Sequence, residues 1–285
     1  MVSRNNKGII IIACLWICAL VLWLSLNAAL LFRYRFADSA NSALKTIGFY
    51  AAVGGIYEVI ARMPASTPEM ALDSKNVEPW KPDGTVHVIK YDRCRVLVRA
   101  EDELNKVNIN VVSSEDLVKI FQEHLKIENF SSLSVSQLAD RILDFIDPDD
   151  YKRDQGAEKD FYEKAGLGYL PYNKHLTAIE TVLLVPGMSW KIFWGPRGSE
   201  TSFLPSQTSF FSLFTVYGSK KGLEAETEEA KDKKAEEQVW KPGGLYRIVA
   251  GADCGGNRRV VVYTVVKYNP GQDPYYQIQY MKELL

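Results

Sequence analysis

The chain is 285 residues long, 47% hydrophobic and 24% charged, with a formal net charge of −1. That hydrophobic share excludes wholesale disorder, and the near-zero charge removes the bulk positive excess that a sequence-independent nucleic-acid binder needs to neutralise phosphates. At roughly 100–200 residues per domain, the length allows one large domain or two modest ones.

The apolar residues crowd at the start. Ile9 to Phe32 is a 24-residue stretch without a charged side chain, and only Ser25 and Asn27 in it are clearly polar. As a helix it spans roughly 36 Å at ~1.5 Å per residue, enough to cross a hydrocarbon layer of ~30 Å. Arg4 and Lys7 precede it, and Arg33 and Arg35 follow it, so charge balance does not set its orientation. A cleaved secretory signal has a shorter apolar core and a small-residue cleavage site. Neither is found here, which makes residues 9–32 a membrane span. Beyond Phe32, an apolar stripe continues at helical spacing through Ala40, Ala43, Leu44, Ile47, Tyr50, Ala51 and Gly54. The expectation is one long helix, half in lipid and half packed under a soluble head. Pro64 is the expected stop, with a bend at Gly48, Gly54 and Gly55.

Residues 65–84 read as a connection ending in the turn Pro82-Asp83-Gly84. Alternating residues at 85–90 and 94–99 then predict a β-hairpin, and 106–110 a shorter strand. From Ser113 the period becomes helical. One helix carries Leu117, Ile120 and Phe121 behind a Ser114 cap. A second, capped by Ser134 or Ser136, runs to Pro148, and a third covers Ala178 to Val185. Strand-like text returns at 210–217. Residues 220–237 hold 12 charged side chains in 18 positions, which marks a solvated linker or an exposed helix. Strands are expected again at 245–250, 259–267 and 275–281.

Motifs for catalysis are absent. His87, His124 and His175 are scattered, and no phosphate loop, Gly-x-Ser-x-Gly or His-Glu-x-x-His is present. Cys14 and Cys18 lie inside the span. Cys94 and Cys254 are either a disulfide, if the head sits in an oxidising compartment, or two separate buried thiols. An acidic cluster, Asp144, Asp147, Asp149, Asp150 and Asp154 with Glu158 and Asp160 behind it, is a candidate Ca²⁺ site. A loop of carboxylates supplies the oxygen ligands that Ca²⁺ prefers, although the spacing is not that of an EF-hand. The alternative is a helix end whose acids pair with Lys152 and Arg153. Residues 182–188 are similar to the turn of helix-hairpin-helix DNA-binding modules. Residues 113–190, however, hold 8 Lys/Arg against 14 Asp/Glu, 8 − 14 = −6, and such a surface repels a polyanion.

Several segments together resemble protein K of the bacterial type II secretion system, a minor pseudopilin. They are Lys7-Gly8 ahead of the apolar run, similar to a prepilin leader, and Glu101 to Asn110 with its acidic turn and Lys-hydrophobic-Asn-hydrophobic-Asn pattern. They continue through Ile142 to Asp150 with Arg153, Gly156 to Glu158 and Tyr162. The last are Pro171-Tyr172-Asn173, Ile179-Glu180 and Leu183 to Met188. Counting from Ile9, the fifth position is Ala13, where most pseudopilins have Glu and the K subunit does not.

The resemblance implies an α+β, type IV pilin-like fold. Its parts are a leader (1–8), a transmembrane helix (9–32), the rest of the helix with the first β segment (33–112), an inserted all-helical domain of SAM or helix-hairpin-helix type (113–190), and a second β segment (191–285). It implies cleavage between Gly8 and Ile9 by a prepilin peptidase, methylation of the new amine, anchorage in the inner membrane and a periplasmic head. It also implies a non-catalytic tip role in protein secretion with minor pseudopilins I and J, and no nucleic-acid ligand. Asp147, Asp149, Asp150 and Glu158 are the candidate calcium ligands. Two other readings stand beside it: a membrane-anchored helix-hairpin-helix DNA receptor, and a membrane-tethered metal-dependent hydrolase built on the Asp144–Glu158 acids.

Overall fold

The computed structural model describes residues 7–63, 80–125, 133–195, 203–220, 222, 239–255 and 259–284. The charged run at 220–237 lies almost wholly outside the described residues, as does most of the leader. The elements follow one another as α1 (Lys7–Ala61), β1 (His87–Lys90), β2 (Arg95–Asp102), β3 (Val107–Asn108), α2 (Ser114–Ile120), α3 (Val135–Ile146), α4 (Lys159–Lys164), α5 (Trp190–Trp194), α6 (Phe210–Leu213), β4 (Phe214–Thr215), β5 (Leu245–Asp253), β6 (Arg259–Tyr268) and β7 (Tyr276–Glu283).

Helix α1 has 55 residues, about 82 Å at ~1.5 Å per residue. Its apolar first half packs on nothing in the head. The helix runs unbroken through Gly48, Gly54 and Gly55, so the expected bend is absent. Two of these glycines serve packing instead. A Cβ on Gly48 would lie 3.0 Å from Val260 Cγ2, and one on Gly55 2.8 Å from Val96 Cγ1.

The sheet explains why. Its order is β1-β2-β5-β6-β7, every pairing antiparallel. Side chains alternate across a strand, and here both faces are covered. Val96, Val98, Ala100, Ile248, Ala250, Val260 and Val262 face α1, where they meet Ala52, Ile56, Val59 and Ile60. Leu97, Val249, Val261, Tyr263 and Val265 face the other way, into a core shared with the helical segment between β3 and β4. The result is three layers: one helix, a sheet and a helical block. Strands buried on both faces read as continuous apolar text, which is why β5 and β6 extend past the alternating segments expected for them.

The helical block starts as predicted, one residue early. Ser113, rather than Ser114, caps α2, accepting from the Asp116 amide. Ser134 caps α3, accepting from the Gln137 amide at 3.1 Å. A π-helical turn, Phe121–Leu125, prolongs α2. Two expectations fail. The third helix is a 3₁₀ segment, Ile179–Leu184, because it lacks an N-cap bond and ends against Pro186-Gly187. Residues 210–217 are not a strand. They form α6, capped by Ser209, followed by two residues of β4 parallel to β3. Phe210 and Phe211 bury their rings in an aromatic cluster with Phe121, Phe193 and Trp194, and that burial outweighs β propensity.

Candidate functional site

Three places hold the candidate residues. The first is the start of α1. Gly8 and Ile9 lie in its first turn. The helix they begin is the one helix among the described residues long and apolar enough to cross a membrane.

The second is the junction of Cys94 and Cys254. These residues just precede β2 and just follow β5, whose ends pair through Arg95 and Asp253. They are joined in a disulfide with Cα atoms 4.1 Å apart, across 160 residues of sequence. Cys14 and Cys18 are free and exposed on the apolar half of α1.

The third is an acidic cup where α3 ends. Asp144 sits on the buried face of α3, fully enclosed. Its carboxylate accepts from the Arg153 amide at 3.3 Å and lies 3.3 Å from the Arg153 guanidinium. Arg153 also donates to Asp147 Oδ2 at 3.0 Å. Asn173, with φ of +48°, donates to Asp150 Oδ1 at 3.1 Å. Asp149 caps its own loop, accepting from the Tyr151 amide at 2.8 Å. Gly156 is required here, because a Cβ would fall 1.8 Å from Asp144 Oδ2.

Glu158 closes the cup. It is buried, and neither carboxylate oxygen has a hydrogen-bond partner; Asp147 Oδ1 and Asn173 Oδ1 are also unpartnered. Burial, then the charges of Asp144, Asp147, Asp150 and Asp149, push the Glu158 carboxyl up to about 7. Burial first, with the nearby Asp147 charge, pushes Asp144 up to about 6 against the pull of Arg153. Burial raises Asp147 as well, with Asp149 adding to it. One arginine does not neutralise this group. The donor set is all oxygen, which suits a hard cation such as Ca²⁺. Even so, among the described residues no three His, Cys, Asp or Glu side chains are gathered as a finished ligand cluster. Asp144, already named in the acidic cluster, stands here beside the candidate ligands Asp147, Asp149, Asp150 and Glu158, and Asn173 is the member that sequence reasoning missed. An acid on the apolar face of an amphipathic helix was the available signal for Asp144. Asn173 is 24 residues from Asp149 in the chain, and no local pattern marks it.

Buried polar links hold the helical block to the sheet. Glu103 and Arg247, both fully buried, form an ion pair that Thr215 joins through its hydroxyl. Glu101 pairs with Arg99 at 2.9 Å and with Lys106. Burial opposes its charge, but those two cations prevail and hold its carboxyl down at about 2. Asn110 and Leu176 exchange two hydrogen bonds, at 3.0 and 2.8 Å, and Asn108 donates to Gly218 O at 2.7 Å. The acidic turn and the two asparagines of the 101–110 motif thus have a physical use: they aim the helical block. Glu180 does the same from the far side. It accepts from Tyr263 at 2.6 Å and from Tyr280, and Lys282 lies at 2.8 Å.

The family description "Type II secretion system (T2SS), protein K" matches residues 104–193. That span includes the Asn108 and Asn110 pattern, the Asp-rich cup and the Pro186-Gly187 turn, so the resemblance read from the sequence is borne out. A search of curated proteins finds no match. Among solved structures, the chain is similar to one in the crystal structure of the GspK-GspI-GspJ complex from the enterotoxigenic Escherichia coli Type 2 Secretion System. The identity is 12% and the TM-score 0.43, over 89% of this chain and 99% of that one.

Proposed function

We propose that the chain is a minor pseudopilin of the type II secretion system, acting without catalysis at the tip of a short periplasmic pseudopilus and promoting protein export across the outer membrane. The observation that carries the reading is the family match over 104–193, in a chain whose matched block follows one long helix with an apolar, unburied first half.

In this reading the prepilin peptidase cuts between Gly8 and Ile9 and methylates the Ile9 amine. The span then anchors the protein in the inner membrane with its N-terminus in the cytoplasm. The Cys94–Cys254 disulfide supports an oxidising compartment for the head, which the periplasm is. Ala13 stands where a buried carboxylate would otherwise need a partner in lipid, and this fits a subunit with no neighbour above it. The partners are minor pseudopilins I and J, met through helix packing along α1. Bulk from the helical block disfavours repeated stacking in a filament and favours one copy at the end.

The acidic cup is proposed to take Ca²⁺. Glu158, Asp147 and Asn173 have the oxygens free for it, and the ion would neutralise carboxylates that burial and mutual repulsion now oppose. The test of the whole reading is the mature N-terminus. Mass spectrometry of the protein from secreting cells should find a methylated Ile9. Gly8→Leu should leave an uncleaved precursor and stop secretion. A native protein that begins at Met1 overturns the reading.

A further inference from the structure

Where the apolar half of α1 ends, two arginines alternate with three exposed aromatic rings. Phe32, Tyr34 and Phe36 keep 74%, 74% and 80% of their surface exposed, and Arg33 and Arg35 stand between them. At ~100° per residue, Phe32, Phe36 and Ser39 form one stripe, Arg33 and Arg35 flank it on either side, and Tyr34 falls on the opposite face. The stripe and its two flanking arginines line an open recess. Among the described residues, neither arginine has an ion-pair or hydrogen-bond partner. The nearest acid in sequence, Asp38, lies three residues past Arg35 and is not paired with it.

Helix rise sets the depth of the recess. From Phe32 to Phe36 the helix climbs about 6 Å at ~1.5 Å per residue. The headgroup layer outside the ~30 Å hydrocarbon is roughly 5–7 Å thick on each side. The two guanidinium groups therefore stand at the level of lipid phosphates, and the rings at the level of an interfacial aromatic belt. The head meets α1 farther along, at the Lys45–Glu283 ion pair and at Gly48, about 20 Å from Phe32. That is beyond the ~8 Å over which exposed charges act in salt, so the recess faces lipid rather than the head.

We infer that this recess binds the phosphate of one anionic phospholipid from the leaflet on the head's side, clamped between Arg33 and Arg35 with its acyl chains running down past Phe32. A guanidinium fork matches phosphate geometry, and no carboxylate of this chain occupies either fork. The occupant is a lipid rather than a soluble phosphate because the recess is continuous with the apolar half of α1 and has two aromatic rings in its lining. It is anionic because a choline or ethanolamine headgroup would bring a cation against two arginines. The inference rests on the span of the proposed reading and not on its secretion role. In that reading, loss of the leader removes Arg4 and Lys7, so Arg33 and Arg35 become the charged side chains that flank the span and the bound lipid fixes the depth of the mature chain.

A benzophenone amino acid at Phe36, or at Tyr34 on the opposite face, tests it in the full-length chain reconstituted in vesicles of equal parts phosphatidylcholine and phosphatidylglycerol. Mass spectrometry of the adducts reports which lipid was captured. Each arginine near an anionic surface is worth roughly fivefold, so the Phe36 probe should favour phosphatidylglycerol by about 30-fold. The Tyr34 probe should favour it clearly less. Arg33→Gln with Arg35→Gln should bring the Phe36 adducts close to parity, Arg33→Lys with Arg35→Lys should keep most of the preference, and Asp38→Asn should raise it. Inorganic phosphate at constant ionic strength should leave it unchanged. Equal capture of the two lipids, the same preference from both probes, or a preference that survives the glutamine pair, falls with Asp38→Asn or is abolished by phosphate overturns the inference. All variants should resist carbonate extraction with the Cys94–Cys254 disulfide formed. A wild-type chain that carbonate releases from the vesicles overturns the span and the reading built on it; a retained chain with no lipid preference overturns the lipid site alone.

Discussion

Glu158 is an acid with no visible reason to be charged. Its oxygens are unpartnered, and four aspartates surround it. A carboxyl raised in the folded state binds its proton more tightly there than in the unfolded chain. Folding is therefore favoured at low pH, and that contribution is lost as pH rises from the ordinary 4.5 through about 7 for Glu158, with Asp144 adding a loss up to about 6. Glu101 works in the opposite sense. Its depressed carboxyl stabilises above the ordinary 4.5, and the contribution disappears as pH falls to about 2. In chelator, the melting temperature of the head should thus fall on both sides of pH ~4.5. Added Ca²⁺ should restore it on the neutral side, and Glu158→Gln should flatten that side and remove the calcium response. A melting profile indifferent to Ca²⁺ near neutrality would count against the cup as a cation site. The carboxylates themselves were legible in the sequence. Which of them lacked partners was not, because that depends on Arg153 and Asn173 folding back over the end of α3.

A second residue-scale test concerns Arg247. It is fully buried against Glu103, and its guanidinium also stacks on Phe211. Arg247→Met leaves Glu103 buried without its partner, and we expect a loss of about 3–5 kcal/mol in denaturant unfolding of the detergent-solubilised protein. Changing both, with Glu103→Leu, should recover much of that loss. Nothing in the alternating text of β5 distinguishes an inward arginine from an outward one, since its partner is 144 residues away.

Among the elements, α1 carries the clearest contrast. Gly54 and Gly55 are adjacent in sequence and opposite in role. Gly55→Ala drives a Cβ to within 2.8 Å of Val96 Cγ1, and overpacking of this kind costs about 1–3 kcal/mol. Gly54→Ala meets the Tyr91 phenol, mainly its mobile hydroxyl end, so helix propensity should dominate and add up to about 1 kcal/mol. Equilibrium unfolding of both variants gives the comparison; equal effects would mean that the helix face is assigned wrongly. The existence of α1, its apolar start and the Ser134 cap of α3 were readable, because period, length and capping are local properties. Bends and faces were not. The glycines suggested a weak point, whereas the sheet uses two of them to bring the helix close. Residues 210–217 looked like a strand because aromatic and β-branched residues dominate them, and the aromatic cluster decided otherwise.

At the scale of the whole molecule, the Cys94–Cys254 bridge ties the beginning of the sheet to its late strands. A cross-link spanning 160 residues restricts the unfolded chain, and the double substitution Cys94→Ser/Cys254→Ser should cost about 2–5 kcal/mol. Wild-type protein unfolded with and without reductant provides the check, and coincident transitions would contradict the expectation. The helical block depends on the same long-range closure. Its seat is built by Asn110 with Leu176, Glu180 with Tyr263 and Tyr280, and Glu103 with Arg247. Each pair joins segments that only the finished sheet brings together.

The sequence by itself determined a membrane-length apolar helix, a mixed head of strands and helices, an acidic loop and the motifs that resemble protein K, because hydrophobic period, charge and turn chemistry are written in neighbouring residues. Only the tertiary structure decided which face of α1 packs on the sheet, that Cys94 lies beside Cys254, and that Glu158 is enclosed without a partner. Those properties depend on distances between residues far apart in the chain, and such distances exist only once the sheet has closed over both of its faces.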